Sequence, residues 1–516
     1  MPNNEPSWGF YGRSAEQADI DRILASGRWF FCAISGRRRI GKTTLIQRAL
    51  QRAPHVKAFY FQVPDSDERG VVETFQDALE DTGFTNDFIR PAAVTFRDMA
   101  AFIGQMCEFG WIVVIDEFQY FHRKSLSPFT SYLQAEVDKL RDTSNGGLFV
   151  LGSIHTEMTA ILEDQASPLF NRVTHRIQVG HWDHETLFEM FDAHGVTDAH
   201  QRLFLWSLFE GVPKFYRDCF EVGVLQPDMF HRVQTLRRLF FEGTSPLRDE
   251  AANWFLRELR GRYDSVLKLL AKRGPCSYGE LVADYADAGS SGEKQLSQYL
   301  QTLMDRYAMV ERRFPIFAAD KSRKARYSIT DNFLAAWLHA LARNVQVARI
   351  RPIEDAVARA DIALQSHEGF AWEKMIRLLT EECSRKAVGD FRLTEIVKGY
   401  WNKTDGSDIE IDFVAVNDEE RRVRIGSCKR NAAAHDSGAL STFDIQVNRF
   451  LATAEGRRFT GWTVEKALFS PIFSPAQRER LRDRNYLCRD IADFAAYLGR
   501  PIDGLFDTAA ETLFGS

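Results

Sequence analysis

At 516 residues the chain is too long for a single hydrophobic core, and at roughly 150 residues per domain about three domains are expected. An apolar content of 45% with 27% charged residues excludes a disordered chain, and no run of about 18 uncharged apolar residues supports a membrane span. The start, "MPNNEPSWGFYGRS", has no apolar segment behind a basic end, so a cytoplasmic protein is expected; a net charge of −5 excludes a uniformly basic surface, and seven scattered cysteines without a C-x-x-C pair exclude a zinc ribbon.

"WFFCAIS" (29–35) is short and apolar, as a buried parallel strand requires, and "GRRRIGKTTLIQRAL" turns amphipathic and helical after its glycines. Gly36, Arg37, Arg38, Arg39, Ile40, Gly41, Lys42, Thr43 and Thr44 follow the pattern G-x-x-x-x-G-K-[ST], a loop whose N–H groups wrap phosphate oxygens while the lysine neutralises the terminal phosphates. Thr43 then supplies a hydroxyl to Mg²⁺, and the expected ligand is ATP with Mg²⁺.

The apolar run "WIVVIDEFQYF" (111–121) ends in two acids: Asp116 is expected to hold the Mg²⁺ shell and Glu117 to polarise the attacking water, the bland alternative being a solvated acidic turn. Ser153 ends a further apolar strand, "GGLFVLGS", where a hydroxyl can sense the γ-phosphate, although a serine after a strand is more often a turn residue. "HVKAFYFQV" and "HRIQV" complete a parallel sheet covered by helices.

"FYGRSAEQADIDRIL", "GRRRIGKTTL", "VVIDEFQYF", "LGSIHTEM", "SPLFNRV" and "FEGVPKFY", in this order, resemble the archaeal-type ATPase family, a branch of the STAND and AAA+ related P-loop ATPases, over roughly the first 240 residues. The resemblance implies an ATPase core over 1–182 and a helical lid over 183–245. It also implies that Arg172 completes the γ-phosphate site, across a homo-oligomer interface if it acts in trans, and that Gly211 and Pro213 form a lid motif sensitive to nucleotide.

Over 246–330 three helical patterns, from Tyr263, Ser277 and Glu293, precede two short strands around "AADKSRKA", which reads as a winged helix-turn-helix. Between 306 and 326, seven cations (Arg306, Arg312, Arg313, Lys321, Arg323, Lys324, Arg326) face two acids (Glu311, Asp320), so the hairpin is a candidate contact for DNA phosphates, or else a solvated loop. Lys294, Gln295, Gln298 and Gln301 lie on the free face of the third helix.

Residues 331–516 read as a helical linker and a mixed α/β domain. "RYSITDNFLAAWLHALARN" resembles the start of a restriction-endonuclease-related domain commonly fused to these ATPases, and the order of Glu373, Asp412, Lys429 and Gln446 is similar to a PD-(D/E)-x-K nuclease core. In "DIEIDFVAV" strict alternation sets Asp408, Glu410 and Asp412 on one face and Ile409, Ile411 and Phe413 on the other. The nuclease reading needs Mg²⁺ or Mn²⁺ on Asp412 and Glu373, with Lys429 activating water, but Ser427 stands where the second strand should carry an acid. An active nuclease, a degenerate one that binds nucleic acid, and a structural domain all remain open; Arg421, Arg422, Arg424, Lys429 and Arg430 argue for nucleic acid.

The expected fold class is thus α/β: a parallel-sheet P-loop ATPase with a helical lid, a winged helix-turn-helix and a C-terminal restriction-endonuclease-like domain. The expected function is an ATP-hydrolysing switch that binds or acts on DNA, with no membrane partner. The alternative is a regulatory STAND-type ATPase whose C-terminal domain is a non-catalytic protein-interaction module.

Overall fold

The computed structural model describes residues 7–81, 93–141, 145–153, 155–227, 231–250, 263–287, 293–319, 322–403 and 408–500. These form two compact units, one built from 12–182 with 212–214, the other from the remaining residues.

In the first unit, β1 (Phe30–Ser35), β2 (Ala58–Gln62), β3 (Ile112–Asp116), β4 (Gly147–Gly152) and β5 (His175–Gln178) form a wholly parallel sheet in the order β2-β3-β4-β1-β5. Buried on both faces, β1, β3 and β4 are continuous apolar runs and not alternating ones. Phenylalanines fill much of one face: Phe59 meets Phe75 edge-on, Phe96 meets Phe121 and Phe129 edge-on, and Phe121 stacks on Phe129 at 4.2 Å. Because the strands are parallel, the carboxyl ends of β1, β3 and β4 open at one edge, where such sheets bind ligands.

In the second unit the helices Tyr263–Arg273, Tyr278–Asp287 and Glu293–Asp305 accompany a small antiparallel sheet, β6 (Cys276–Ser277), β7 (Val310–Arg313) and β8 (Arg326–Ile329), in the order β6-β8-β7. Leu296, Leu300 and Leu303 are buried, while Lys294, Gln295, Gln298 and Gln301 are exposed. Lys321 and Asp320 lie outside the described residues. The basic hairpin is not a free loop. The Trp401 indole donates to the Lys324 carbonyl at 2.8 Å, Ile316 N–H donates to the Gly399 carbonyl at 2.9 Å, Arg326 pairs with Glu410 at 2.7 Å and Lys324 reaches Glu455 at 3.5 Å.

The long helix Ile353–Arg385 then packs on a mixed sheet, β9 (Lys398–Trp401), β10 (Glu410–Asn417), β11 (Arg422–Cys428), β12 (Thr463–Phe469) and β13 (Leu487–Arg489), in the order β13-β12-β11-β10-β9. The hairpin β10–β11 is antiparallel; β12 and β13 add parallel strands after the crossover helix Ser437–Ala452. Strict alternation along β10 fails. A register shift between Ile411 and Val414 inserts one residue, so Ile409, Ile411, Val414 and Val416 share one core while Phe413 packs against Phe469 on the opposite face. A bulge of this kind re-aims the residues beside it, and here those are Asp412 and Phe413. No described helix is long and apolar enough to cross a membrane.

Candidate functional site

The loop between β1 and the helix Lys42–Arg52 has the backbone that a phosphate cradle demands. A Cβ on Gly36 would stand 2.4 Å from the Val179 carbonyl oxygen, and Gly41 has φ +91°, which side chains rarely adopt. Arg39 also has φ +68°. Ile40 is fully buried and its carbonyl accepts a hydrogen bond from Arg13 at 3.1 Å; the same guanidinium holds the Gly180 carbonyl at 2.6 Å. Arg37 contacts the His181 ring, while Arg38 and Thr44 are exposed.

Lys42 is buried at the centre of this loop and donates to the carbonyls of Gly36 (3.0 Å) and Arg37 (3.2 Å) and to Ser153 Oγ (2.9 Å). Burial lowers its ammonium to about 8, against the opposing pull of Glu117 and Asp116. Thr43 Oγ1 donates to Asp116 Oδ2 at 2.6 Å, and Tyr60 donates to the same oxygen at 2.8 Å. Burial and the Asp116 charge together raise the Tyr60 phenol. A hydroxyl and a carboxylate in contact make an oxygen donor pair suited to Mg²⁺.

Glu117 follows with φ 56°, an uncommon conformation for a side chain of this kind. Gln119, 2% exposed, donates to the Glu117 carboxylate and accepts from Ser153 N–H at 3.2 Å, so it links the candidate water-activating acid to the end of β4. Sequence reasoning assigned no role to Gln119, Tyr60 or Arg13; the available signal was polar residues embedded in apolar runs and an arginine in "FYGRS". Arg172 is held bidentately by Asp138, at 2.8 and 3.0 Å, and by the Phe170 carbonyl at 2.9 Å; its partners are not phosphate-loop residues. Pro213 opens the helix Pro213–Glu221, and Gly211 precedes it by two residues.

At the C-terminal sheet, Glu373 on the long helix and Asp412 in the bulge of β10 share one environment. Burial raises both carboxyls; the Asp412 charge adds to the rise at Glu373, and Lys429 acts against the rise at both. Asp412 Oδ2 accepts from Cys428 N–H at 2.9 Å and from Ser427 Oγ at 3.4 Å. Arg377, which the sequence did not single out, donates to the Asp412 carbonyl at 3.3 Å and stands 3.9 Å from Glu373.

The remaining candidates have partners within the chain. Glu410, on the same strand as Asp412, is paired with Arg326, and Gln446 accepts from Glu410 N–H at 3.2 Å at the start of β10. Among the described residues, the group of three acids close enough to hold one ion is Asp183, Glu185 and Glu382, which Lys386 already bridges. Two carboxylates beside Arg377 and Lys429 are a poor cage for a divalent cation, and Glu410, whose charge also reaches Asp412, is itself paired with Arg326. The basic surround is also largely neutralised within the chain: Arg422 pairs with Glu465 and Glu420, Arg424 with Asp390 and Glu465, and Arg430 with Glu368.

Residues 337–439 match the DUF234 family, described as "Archaea bacterial proteins of unknown function". The uncharacterized protein MJECL04 of Methanocaldococcus jannaschii is 23% identical over 420 residues, covering 80% of this chain and 85% of the relative. Among solved structures, the Walker-type ATPase of Pyrococcus abyssi is similar at 17% identity and a TM-score of 0.46, covering 64% of this chain and 96% of that one. The Aeropyrum pernix ORC2 protein, with ADPNP and ADP, is similar at 17% identity and 0.46, covering 67% and 97%. The phosphate-loop geometry and the DUF234 match together fit an archaeal-type P-loop ATPase with a C-terminal DUF234 segment.

Proposed function

We propose that the chain is an ATP-binding and ATP-hydrolysing switch that engages nucleic acid through its helix and hairpin module and a nuclease-like C-terminal sheet, without depending on cleavage. The observation that carries the ATPase reading is Thr43 on Asp116 at 2.6 Å, with Lys42 on Ser153 at 2.9 Å, because it brings the phosphate-loop lysine and threonine together with the ends of β3 and β4. Mg²⁺ bound with ATP would be held by Thr43 and Asp116 and would neutralise charge developing on the phosphates. Lys42 exchanges loop carbonyls for phosphate oxygens, and Glu117, steadied by Gln119, orients the attacking water. The two acids Glu373 and Asp412, with Glu410 taken up by Arg326, support binding over cutting.

One observation favours the signalling alternative with a protein-binding C-terminal module: Arg422, Arg424 and Arg430 are neutralised internally. Phosphate release and oligonucleotide anisotropy on the same preparations separate the readings. Lys42→Ala should abolish turnover, and wild-type turnover in that variant would sink the ATPase reading. Absence of oligonucleotide binding by the wild-type chain leaves the signalling reading in its place.

A further inference from the structure

In the second unit Arg422, Arg424 and Arg430 are paired within the chain, whereas one concavity gathers three arginines without such partners. Arg343, Arg351 and Arg359, with His339 and Asn344, line a surface cavity of about 480 Å³ between the helix Ala342–Val347 and the start of the long helix. No carboxylate lines it; Glu354, nearby in the first turn of the long helix, is paired with Arg237. All three arginines are exposed, and among the described residues none of their guanidinium groups has a hydrogen bond or ion pair. Like charges gathered around a concavity repel unless an anion enters it, and planar guanidinium forks match phosphate oxygens.

His339 also lines a second cavity, of about 280 Å³, between the hairpin and the long helix, with Lys272, Arg313, Ser366 and Lys374 on its walls. Arg313 has one ion partner, Glu311, at 3.8 Å, and lies within electrostatic reach of Glu373. Along the long helix, Arg359 precedes Glu373 by 14 residues, about 21 Å at the helical rise. That length suits on the order of six nucleotides of a stacked strand. Ile350, 83% exposed at the first cavity, offers an apolar contact to a base.

We infer that the cavity of Arg343, Arg351 and Arg359 is a phosphate-backbone site for a nucleic-acid strand that runs past His339 towards Arg313 and Glu373. The inference rests on the nucleic-acid reading above and assigns it a track that the hairpin and the arginines of β11 do not supply.

The test is anisotropy of the full chain with labelled single-stranded DNA, single-stranded RNA and duplex of about 20 nucleotides, between about 50 and 200 mM salt. The combined Arg343→Gln, Arg351→Gln, Arg359→Gln variant should bind a strand at least about tenfold more weakly, with a salt slope smaller by about two, while ATP turnover and melting stay unchanged. The matching Arg→Lys variant, which keeps the charge, should retain most of the slope. Wild-type binding that the Gln variant leaves unchanged in affinity and slope overturns the track alone. Failure of the wild type to bind any oligonucleotide overturns both the track and the reading beneath it, as does binding confined to vesicles of anionic lipid.

Discussion

Thr43 donates its hydroxyl to Asp116 across 2.6 Å, tying the first turn of the phosphate-loop helix to the end of β3. Removing the Asp116 charge should spare nucleotide binding, which rests on backbone N–H groups and Lys42, and remove the metal's anchor. For Asp116→Asn we expect affinity for an ATP analogue within severalfold of wild type and turnover lower by about 100-fold or more. Turnover within threefold of wild type in a phosphate-release assay takes Asp116 out of the chemistry.

Glu117 and Gln119 can be separated in the same assay. Glu117→Gln should keep binding and cost about 10²- to 10³-fold in turnover, as loss of a general base does. Gln119→Ala leaves the acid but frees it from its tether to the Ser153 backbone, so a smaller fall in kcat with unchanged KM is expected. If that variant loses melting temperature and no kcat, Gln119 is a packing residue only.

Ser427 touches Asp412 at 3.4 Å, so a carboxylate grafted there points at the existing pair. In an Asp116→Asn background, which silences metal binding at the phosphate loop, the chain should take up no Mn²⁺ in a calorimetric titration. Adding Ser427→Glu should create a binding isotherm that Asp412→Ala removes again. Mn²⁺-dependent cleavage by the wild-type chain that Asp412→Ala abolishes would falsify the reading of a binding-only sheet.

The phosphate loop was legible because its chemistry sits in two unbroken runs, 36–44 and 111–117, whose strand ends fix geometry locally. The order of Glu373, Asp412 and Lys429 was legible too, but not their setting. The bulge in β10 has no glycine or proline to mark it, so "DIEIDFVAV" read as uninterrupted alternation and Phe413 fell on the wrong face. The arginines of β11 and its exit read as a basic surface because charge in sequence does not disclose partners; those of Arg424 and Arg430 lie 34, 41 and 62 residues away, on Asp390, Glu465 and Glu368. The same limit hid the docking of Lys324 and Arg326, whose acids lie far along the chain, Glu455 after the crossover helix and Glu410 at the start of β10.

That docking changes what reversal of the hairpin's charge should do. Arg326→Glu would face Glu410 across a partly exposed contact, so a loss of about 1 kcal/mol in stability is expected before any effect on nucleic acid. The double variant Arg326→Glu, Glu410→Arg should recover most of it. Urea unfolding of the four members of this cycle gives the coupling, and a coupling near zero means that the pair does not anchor the hairpin.

Acid should weaken the second unit through Glu382. This carboxylate, 2% exposed, accepts from the N–H groups of His184 (2.7 Å) and Glu185 (3.0 Å), from the His184 ring (2.9 Å) and from Lys386 (2.9 Å). Burial alone would raise its pKa; the donors outweigh burial and hold it at about 2, below the usual 4.5. Since the folded value lies below the unfolded one, the charge stabilises the fold above the usual glutamate range, and that contribution is lost as pH falls through 4.5 towards 2. The full shift corresponds to on the order of 3 kcal/mol. Glu382→Gln should therefore melt several degrees below wild type at pH 7, and the two melting curves should converge between about pH 5 and pH 3. Parallel curves across that window would show that the ion cluster around Lys386 does not set the acid sensitivity of this unit.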